Sequence, residues 1–311
     1  MRVLVTGANG LCGSALKRHC PTSRHNFDFV SSKDCDLRNH LEVEDLFSDF
    51  RPDYVVHTAA KVGGILANMR YPEEFLHDNI LMNAHVIRAC VTHKVEKLFA
   101  FSSVCVFSDN LTMLEEEKIN DGPVYEANAA YGYAKRIVDA HIKAAMKQHG
   151  FKNWCSIIPG NIFGMNDLFS IENGHIVPAV MHKMFLAKKN GTDLRMIGDG
   201  LSLREFIYAD DLAKIILQLL DLDVPDKIIV SGRHENSIRD VVEIMKDISG
   251  FEGEIIWDPA SPNGQRSRPS SKERIDKLLP DFQYTPVREG LTEAWNWFVE
   301  NYPNVRTGYG L

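Results

Sequence analysis

The chain has 311 residues, 44% of them hydrophobic and 25% charged, with a formal net charge of −7. That length and balance suit a soluble globular protein with one large domain or two lobes. The acidic charge argues against general nucleic-acid binding. No apolar run reaches the ~18 residues needed to cross a bilayer. The six scattered cysteines contain no C-x-x-C pair and no metal spacing. They read as reduced thiols, and Met1 leads straight into a strand with no signal peptide before it, so the expected location is cytoplasmic.

Arg2–Thr6 is a short apolar run that reads as a buried strand. Gly7-Ala8-Asn9-Gly10-Leu11-Cys12-Gly13 follows and opens a helix to about Cys20. Glycines at Gly7, Gly10 and Gly13 permit a tight turn, a close backbone approach to a pyrophosphate, and close helix–strand packing. Placed between a first strand and a first helix, the turn points to dinucleotide binding, with Asn9 and Leu11 beside the phosphates. Phe27–Val30 is the second strand. Its end carries Ser31-Ser32-Lys33 where an NAD site usually has an acid. Ser32 and Lys33 suit a 2′-phosphate, so NADP is the expected cofactor; the competing reading gives the acid's role to Asp34. Asp36 and Leu37 are placed against the adenine.

His40–Phe50 reads as an amphipathic helix and Tyr54–His57 as the third strand. Ala59, Ala60 and Lys61 then offer small residues and a cation where a cofactor would pass. Pro72–His93 is a long helix with proline at its favoured start. Lys97–Phe101 is the fourth strand, delivering Ser103, Val104 and Cys105. Ala129–His149 carries Tyr131 and Lys135, four apart and so on one helix face. An ammonium there would lower the phenol's pKa toward working pH, making Tyr131 a proton donor or acceptor at a carbonyl, with Ser103 adding a second hydrogen bond. Tyr133 points to a nearly opposite face. Asn153–Ile158 is a further strand, left through Pro159, Asn161 and Ile162.

This alternation predicts an α/β fold, a doubly wound parallel Rossmann sheet with a smaller mixed α/β substrate-binding lobe. The expected division gives residues 1–160, with a return at about 205–232, to the cofactor domain, and 161–204 and 233–311 to the lobe. In the second half, Asn166–Gly174 reads as a loop, Arg204–Tyr208 as a strand, and Asp210–Leu220 as a helix capped by Asp210. Lys227–Val230 is apolar enough to rejoin the main sheet. Ser261–Arg268 reads as a loop with two arginines, and Glu115–Lys118 as a solvated loop or helix start.

The glycine turn, Lys61-Val62-Gly63-Gly64-Ile65, the Ser103-x-Cys105 strand end and Tyr131-x-x-x-Lys135 resemble the extended short-chain dehydrogenase/reductase superfamily. Together with Asn161-Ile162-Phe163-Gly164, His175-Ile176-Val177-Pro178 and Arg204-Glu205-Phe206, they resemble its GDP-L-fucose synthase family over nearly the whole chain. The resemblance implies an NADPH-dependent 3,5-epimerase and 4-reductase of GDP-4-keto-6-deoxy-D-mannose. It implies Ser103, Tyr131 and Lys135 as the reductase set, Cys105 as the epimerisation base and His175 as the acid, beside the cofactor. It places Ser103, Val104, Asn161, Lys183, Arg204 and Arg268 at the substrate, the two arginines near its diphosphate. It also implies a homodimer through Pro72–His93 and Ala129–His149. Departures occur at Val104, Ser108, Gly160 and Met165–Leu168. On the residues alone, the favoured readings are an inert buried thiol for Cys105 and a structural role for His175, and the arginines also fit surface ion pairs. Competing functions are another nucleotide-sugar 4-reductase, 4-epimerase or dehydratase, and a catalytically silent NADP-binding regulator.

Overall fold

Buried apolar runs alternate with amphipathic helices through the first half of the chain, and that alternation builds a parallel sheet. In the computed structural model, which describes residues 1–259 and 266–308, the first half runs as follows. β1 is Arg2–Thr6, α1 Leu11–His19, β2 Asn26–Val30, α2 His40–Phe50 and β3 Tyr54–His57. Then come α3 Ile65–Arg70, α4 Pro72–Thr92, β4 Lys97–Phe101, α5 Ala129–His149 and β5 Trp154–Pro159. The second half holds β6 Asn161–Phe163, α6 Ile176–Asn190, β7 Leu194–Ile197, β8 Leu203–Tyr208, α7 Ala209–Leu219 and β9 Lys227–Val230. It ends with β10 Glu235–Ser237, α8 Ile238–Ser249, β11 Ile255–Asp258, α9 Glu273–Leu278 and α10 Val287–Asn301. Residues 261–265 of the expected arginine loop lie outside the described residues.

Six strands form the main sheet in the order β2-β1-β3-β4-β5-β9, all pairs parallel. The register aligns Thr6 with Val30 and His57, so the loops leaving β1, β2 and β3 emerge at one level. Strands buried on both faces read as continuous apolar runs, as in Leu98–Phe101. One face packs Leu16, Leu212, Ile216 and Leu219 against Val3, Val5 and Phe99; the other packs Phe47, Val86, Ile87, Val138 and Trp154 against Leu4, Val55 and Leu98. Each large side chain taken fully from water contributes about 1.5–3 kcal/mol.

A separate core joins α6, α8 and α10 around Met184, Val242, Met245, Leu291 and Phe298. Small sheets β10-β8-β6 and β11-β7 flank it. Ile275, Leu279, Phe282 and Tyr284 instead pack with the core around β9, on the main-sheet side of the molecule.

Local readings needed correction at two places. Asp210 does not cap α7: the N-cap is Tyr208, and the Asp210 carboxylate inside the first turn pairs with Arg18. Glu116 is not solvated. It is 3% exposed, because its carboxylate accepts a hydrogen bond from the Ile229 amide of edge strand β9 at 3.0 Å. The short helices α3 and α9 had no counterpart in the sequence reading; each is 6 residues long, too short for a periodic signal.

Candidate active site

The turn after β1 is built for close contacts. Gly7 has φ +79°, and a Cβ there would lie 2.8 Å from the Ala59 amide nitrogen and the Thr58 hydroxyl. A Cβ on Gly13 would lie 2.2 Å from the Gly7 carbonyl. Gly10 starts α1 and supplies no side-chain cap, so the helix's first N–H groups lie beside the carboxyl ends of the strands without a capping side chain among the described residues. These features fit a dinucleotide pyrophosphate. Leu11 packs partly into the core and Asn9 is exposed.

At the end of β2, Asp34 is turned back on its own loop. Its carboxylate accepts from the Ser31 amide at 2.8 Å and the Ser31 hydroxyl at 2.6 Å, and the hydroxyl bond holds it below the usual carboxylate range. Ser32 and Lys33 are exposed. Asp36 is engaged by Arg38 at 2.9 Å. Leu37 is buried in the core and its carbonyl bonds the His85 ring at 3.0 Å. Ala59 and Ala60 continue past β3. Lys61 pairs with Glu74 and with Asp78, the latter at 3.1 Å.

Beyond β4 the chain makes a 3-10 turn, Val104–Val106, capped by Ser103, whose hydroxyl accepts the Cys105 amide at 3.2 Å. Gly132 lets this turn lie against α5: a Cβ there would be 2.7 Å from the Cys105 carbonyl. The sequence reading passed over Gly132, though its place inside a helix is the signal that something packs close. It also passed over Asn128, which donates to the Cys105 sulfur at 3.2 Å. Tyr131 hydrogen-bonds Ser103 and meets the Phe75 ring edge-on, with centroids 6.2 Å apart. Tyr133 is exposed under the Arg136 guanidinium.

Lys135 does not act on Tyr131 as expected. Its ammonium is buried and donates to the Phe101 carbonyl at 2.8 Å, and burial brings its pKa down to about 8. Burial and the neighbouring Cys105 raise the Tyr131 pKa, and the Ser103 hydrogen bond opposes them only in part. Tyr131 is therefore held as the neutral phenol, the form that gives a proton away. Buried His57, bonded to Thr6 at 2.7 Å and Asn83 at 3.1 Å, is pushed down to about 3 by burial and by nearby Lys135.

His175 caps α6 and is exposed to solvent. The protein walls around it nevertheless lower its pKa, while Asp167 opposes that shift. Asp167 is 3% exposed, and one carboxylate oxygen has no hydrogen-bond partner among the described residues. Burial raises its pKa and His175 lowers it. Cys12, in the glycine turn, feels both Asp167 and Lys135 and is pushed up to about 12, mainly by burial. The glycine turn, Lys135, Asp167 and His175 therefore share one region.

Substrate-side residues converge from three segments. β6 pairs in parallel with β8, placing Asn161 opposite Phe206. Arg204 and Arg268 are within electrostatic reach of each other and of Cys105; burial lowers both pKa values. Arg268 donates to the Phe107 and Ser108 carbonyls at 3.1 and 3.2 Å. Both are half-buried rather than exposed at the surface. Lys183 lies about two turns along α6 from His175, half-buried, with its pKa lowered by burial alone. Beneath the arginines, Glu205 accepts from Ser270 at 2.6 Å, Lys272 at 2.7 Å and Ser231 at 2.8 Å, tying β8 to the strand end and to the segment bearing Arg268.

A parallel sheet with a glycine turn at its first strand, a Ser–Tyr–Lys set and paired arginines defines a nucleotide-sugar enzyme of the dinucleotide-binding type. Residues 3–232 match the NAD dependent epimerase/dehydratase family, and the chain belongs to it. Within that family it belongs with the GDP-L-fucose synthases. It is 35% identical to the GDP-L-fucose synthase of Dictyostelium discoideum, covering 98% of this chain and 97% of that one. It is 31% identical to a probable GDP-L-fucose synthase of Drosophila melanogaster, covering 98% and 99%. The solved GDP-L-fucose synthetase of Naegleria fowleri bound to NADP superposes with a TM-score of 0.91 at 35% identity, covering 98% of this chain and 94% of that one.

Proposed function

We infer that the protein converts GDP-4-keto-6-deoxy-D-mannose to GDP-L-fucose with NADPH, epimerising C3 and C5 and reducing C4. The observation that carries this is the convergence of Ser103, Cys105 and Tyr131 at the end of β4 with two half-buried arginines that suit a diphosphate. The 4-keto group acidifies the flanking C–H bonds. Cys105 takes one proton at a time, while Ser103 and Tyr131 donate hydrogen bonds to the enolate oxygen. His175 returns a proton to the opposite face, which inverts the centre. Cys105 and His175 then re-equilibrate with solvent. Bound NADPH supplies hydride to C4, and Tyr131 gives the final proton to the oxygen. Lys135 orients the cofactor ribose. Arg204, Arg268, Lys183 and Asn161 hold the nucleotide sugar, with Val104 along the sugar.

NADP is favoured because Asp34 is committed to Ser31, leaving Ser32 and Lys33 for a 2′-phosphate. Residues 1–160 with the return through β9 form the cofactor domain. The remainder, apart from the segment near α9, forms the substrate lobe. Tyr133 and Ile137, four apart on α5 and 43% and 42% exposed, support a homodimer through α4 and α5. Among the described residues no helix is long and apolar enough to cross a membrane; a cytoplasmic location accords with the reduced cysteines. The test is direct: supply the purified protein with GDP-4-keto-6-deoxymannose and NADPH, follow NADPH loss, and identify the sugar. NADPH loss without GDP-fucose would reduce the reading to a 4-reductase. No loss would favour the silent regulator.

A further inference from the structure

The segment after β3 touches the loop before α6 through two glycines. The Gly64 amide donates to the Asn173 carbonyl at 2.8 Å. A Cβ on Gly64 would stand 2.4 Å from the Gly174 carbonyl oxygen, and one on Gly174 would stand 2.5 Å from the Leu168 and Ser170 carbonyls. Gly64 has φ −63°, and Gly174 is not among the glycines with positive φ. Backbone conformation therefore does not require either glycine. Close approach does. Both sides of the contact are braced. The Asn68 side-chain amide donates to the Gly63 and Gly64 carbonyls, each at 3.0 Å. Across the joint, Gly174 donates to the Ser170 carbonyl at 2.9 Å. The next residue is His175.

We propose that the Gly64–Gly174 contact is a positioning joint for His175, fixing where the acid stands relative to Cys105. This rests on the reading of Cys105 as base and His175 as acid. Inversion demands that a proton taken on one face return on the other. If the acid is misplaced, Cys105 returns the solvent-exchanged proton to the face it came from, and the centre keeps its configuration. Hydride transfer does not use His175. The joint therefore governs stereochemistry rather than turnover as such. Restoring ordinary contact of 3.4 Å from 2.4 Å moves the Gly174 carbonyl by about 1 Å. A shift of that size can cost about 100-fold in a positioned step.

The test is to run Gly64→Ala in deuterated water and measure, at C3 and C5, the ratio of labelled uninverted centres to labelled inverted ones. It is measured in recovered substrate and product together. The ratio should rise about 100-fold. Asn68→Ala, which adds no atom and serves if Gly64→Ala does not fold, should raise it by a smaller factor. His175→Asn is the reference and should raise it most. Partial unfolding lowers both kinds of centre alike and leaves the ratio fixed. An unchanged ratio in the folded joint variants, with His175→Asn shifted, overturns the joint and keeps the acid. Normal inversion in His175→Asn overturns the acid, and the joint with it.

Discussion

Lys135→Met gives a stability test with a defined sign. The ammonium is 1% exposed, and its pKa falls from 10.5 to about 8 through burial. At 1.36 kcal/mol per unit, holding that charge costs the fold about 3 kcal/mol. The unfolded chain keeps the proton up to 10.5, while the folded chain releases it near 8. Between those values the unfolded state binds more protons, so this contribution to stability rises with pH. Methionine removes the titration. It also removes the bond to the Phe101 carbonyl, a loss of about 1–3 kcal/mol. The variant should therefore be about as stable as the parent near neutral pH, though inactive. The assay is urea unfolding of both proteins from about pH 7 to about pH 10.5. Parent minus variant stability should climb by about 3 kcal/mol across that range, since other titrating groups cancel. A flat or falling difference would refute the claim that burial governs this lysine.

Tyr131→Phe should cut reduction by about 100-fold or more, as expected for a lost general acid, with cofactor binding intact by fluorescence titration. Tyr133→Phe should be close to unmutated; the reverse pattern would mean the wrong tyrosine. Cys105→Ser should still oxidise NADPH but place no solvent deuterium at C3 or C5, since a hydroxyl is far less acidic than a thiol. Full label by mass spectrometry would sink the assignment. Lys33→Ala should weaken NADPH binding about tenfold and leave NADH unaffected, as read by calorimetry. Glu205→Ala should destabilise by about 3–5 kcal/mol, because Lys272 is left uncompensated. Glu205→Leu with Lys272→Met should regain much of that in thermal unfolding.

The order of strands and helices through β5 was legible because each strand is a bounded apolar run and each long helix keeps one apolar stripe. The short helices α3 and α9 were not, and neither was the burial of some short turns. A turn such as Glu116–Lys118 looks polar in sequence, and only the approach of β9 makes Glu116 a buried acceptor. The Tyr131 and Lys135 pairing was legible as geometry but not as electrostatics. Spacing gives a shared helix face; it does not show that the Phe101 carbonyl holds the ammonium. Asp167 shares the loop that leads into His175, and Asn128 reaches Cys105 from another turn; in such irregular segments no periodicity links partners.

The last strand to enter the main sheet, β9 at Lys227–Val230, comes from beyond the first part of the smaller lobe and pairs with β5. During synthesis, therefore, β5 stays an open edge while some seventy residues between the two strands emerge. β5 is buried along its whole length in the finished protein, so the nascent chain carries an apolar strand paired with β4 on one side and open on the other through that interval. Such an edge is a template for pairing with another chain. Truncation just before β9 should consequently yield insoluble protein rather than a free cofactor domain, and a nascent-chain holdase would have its longest task over this stretch.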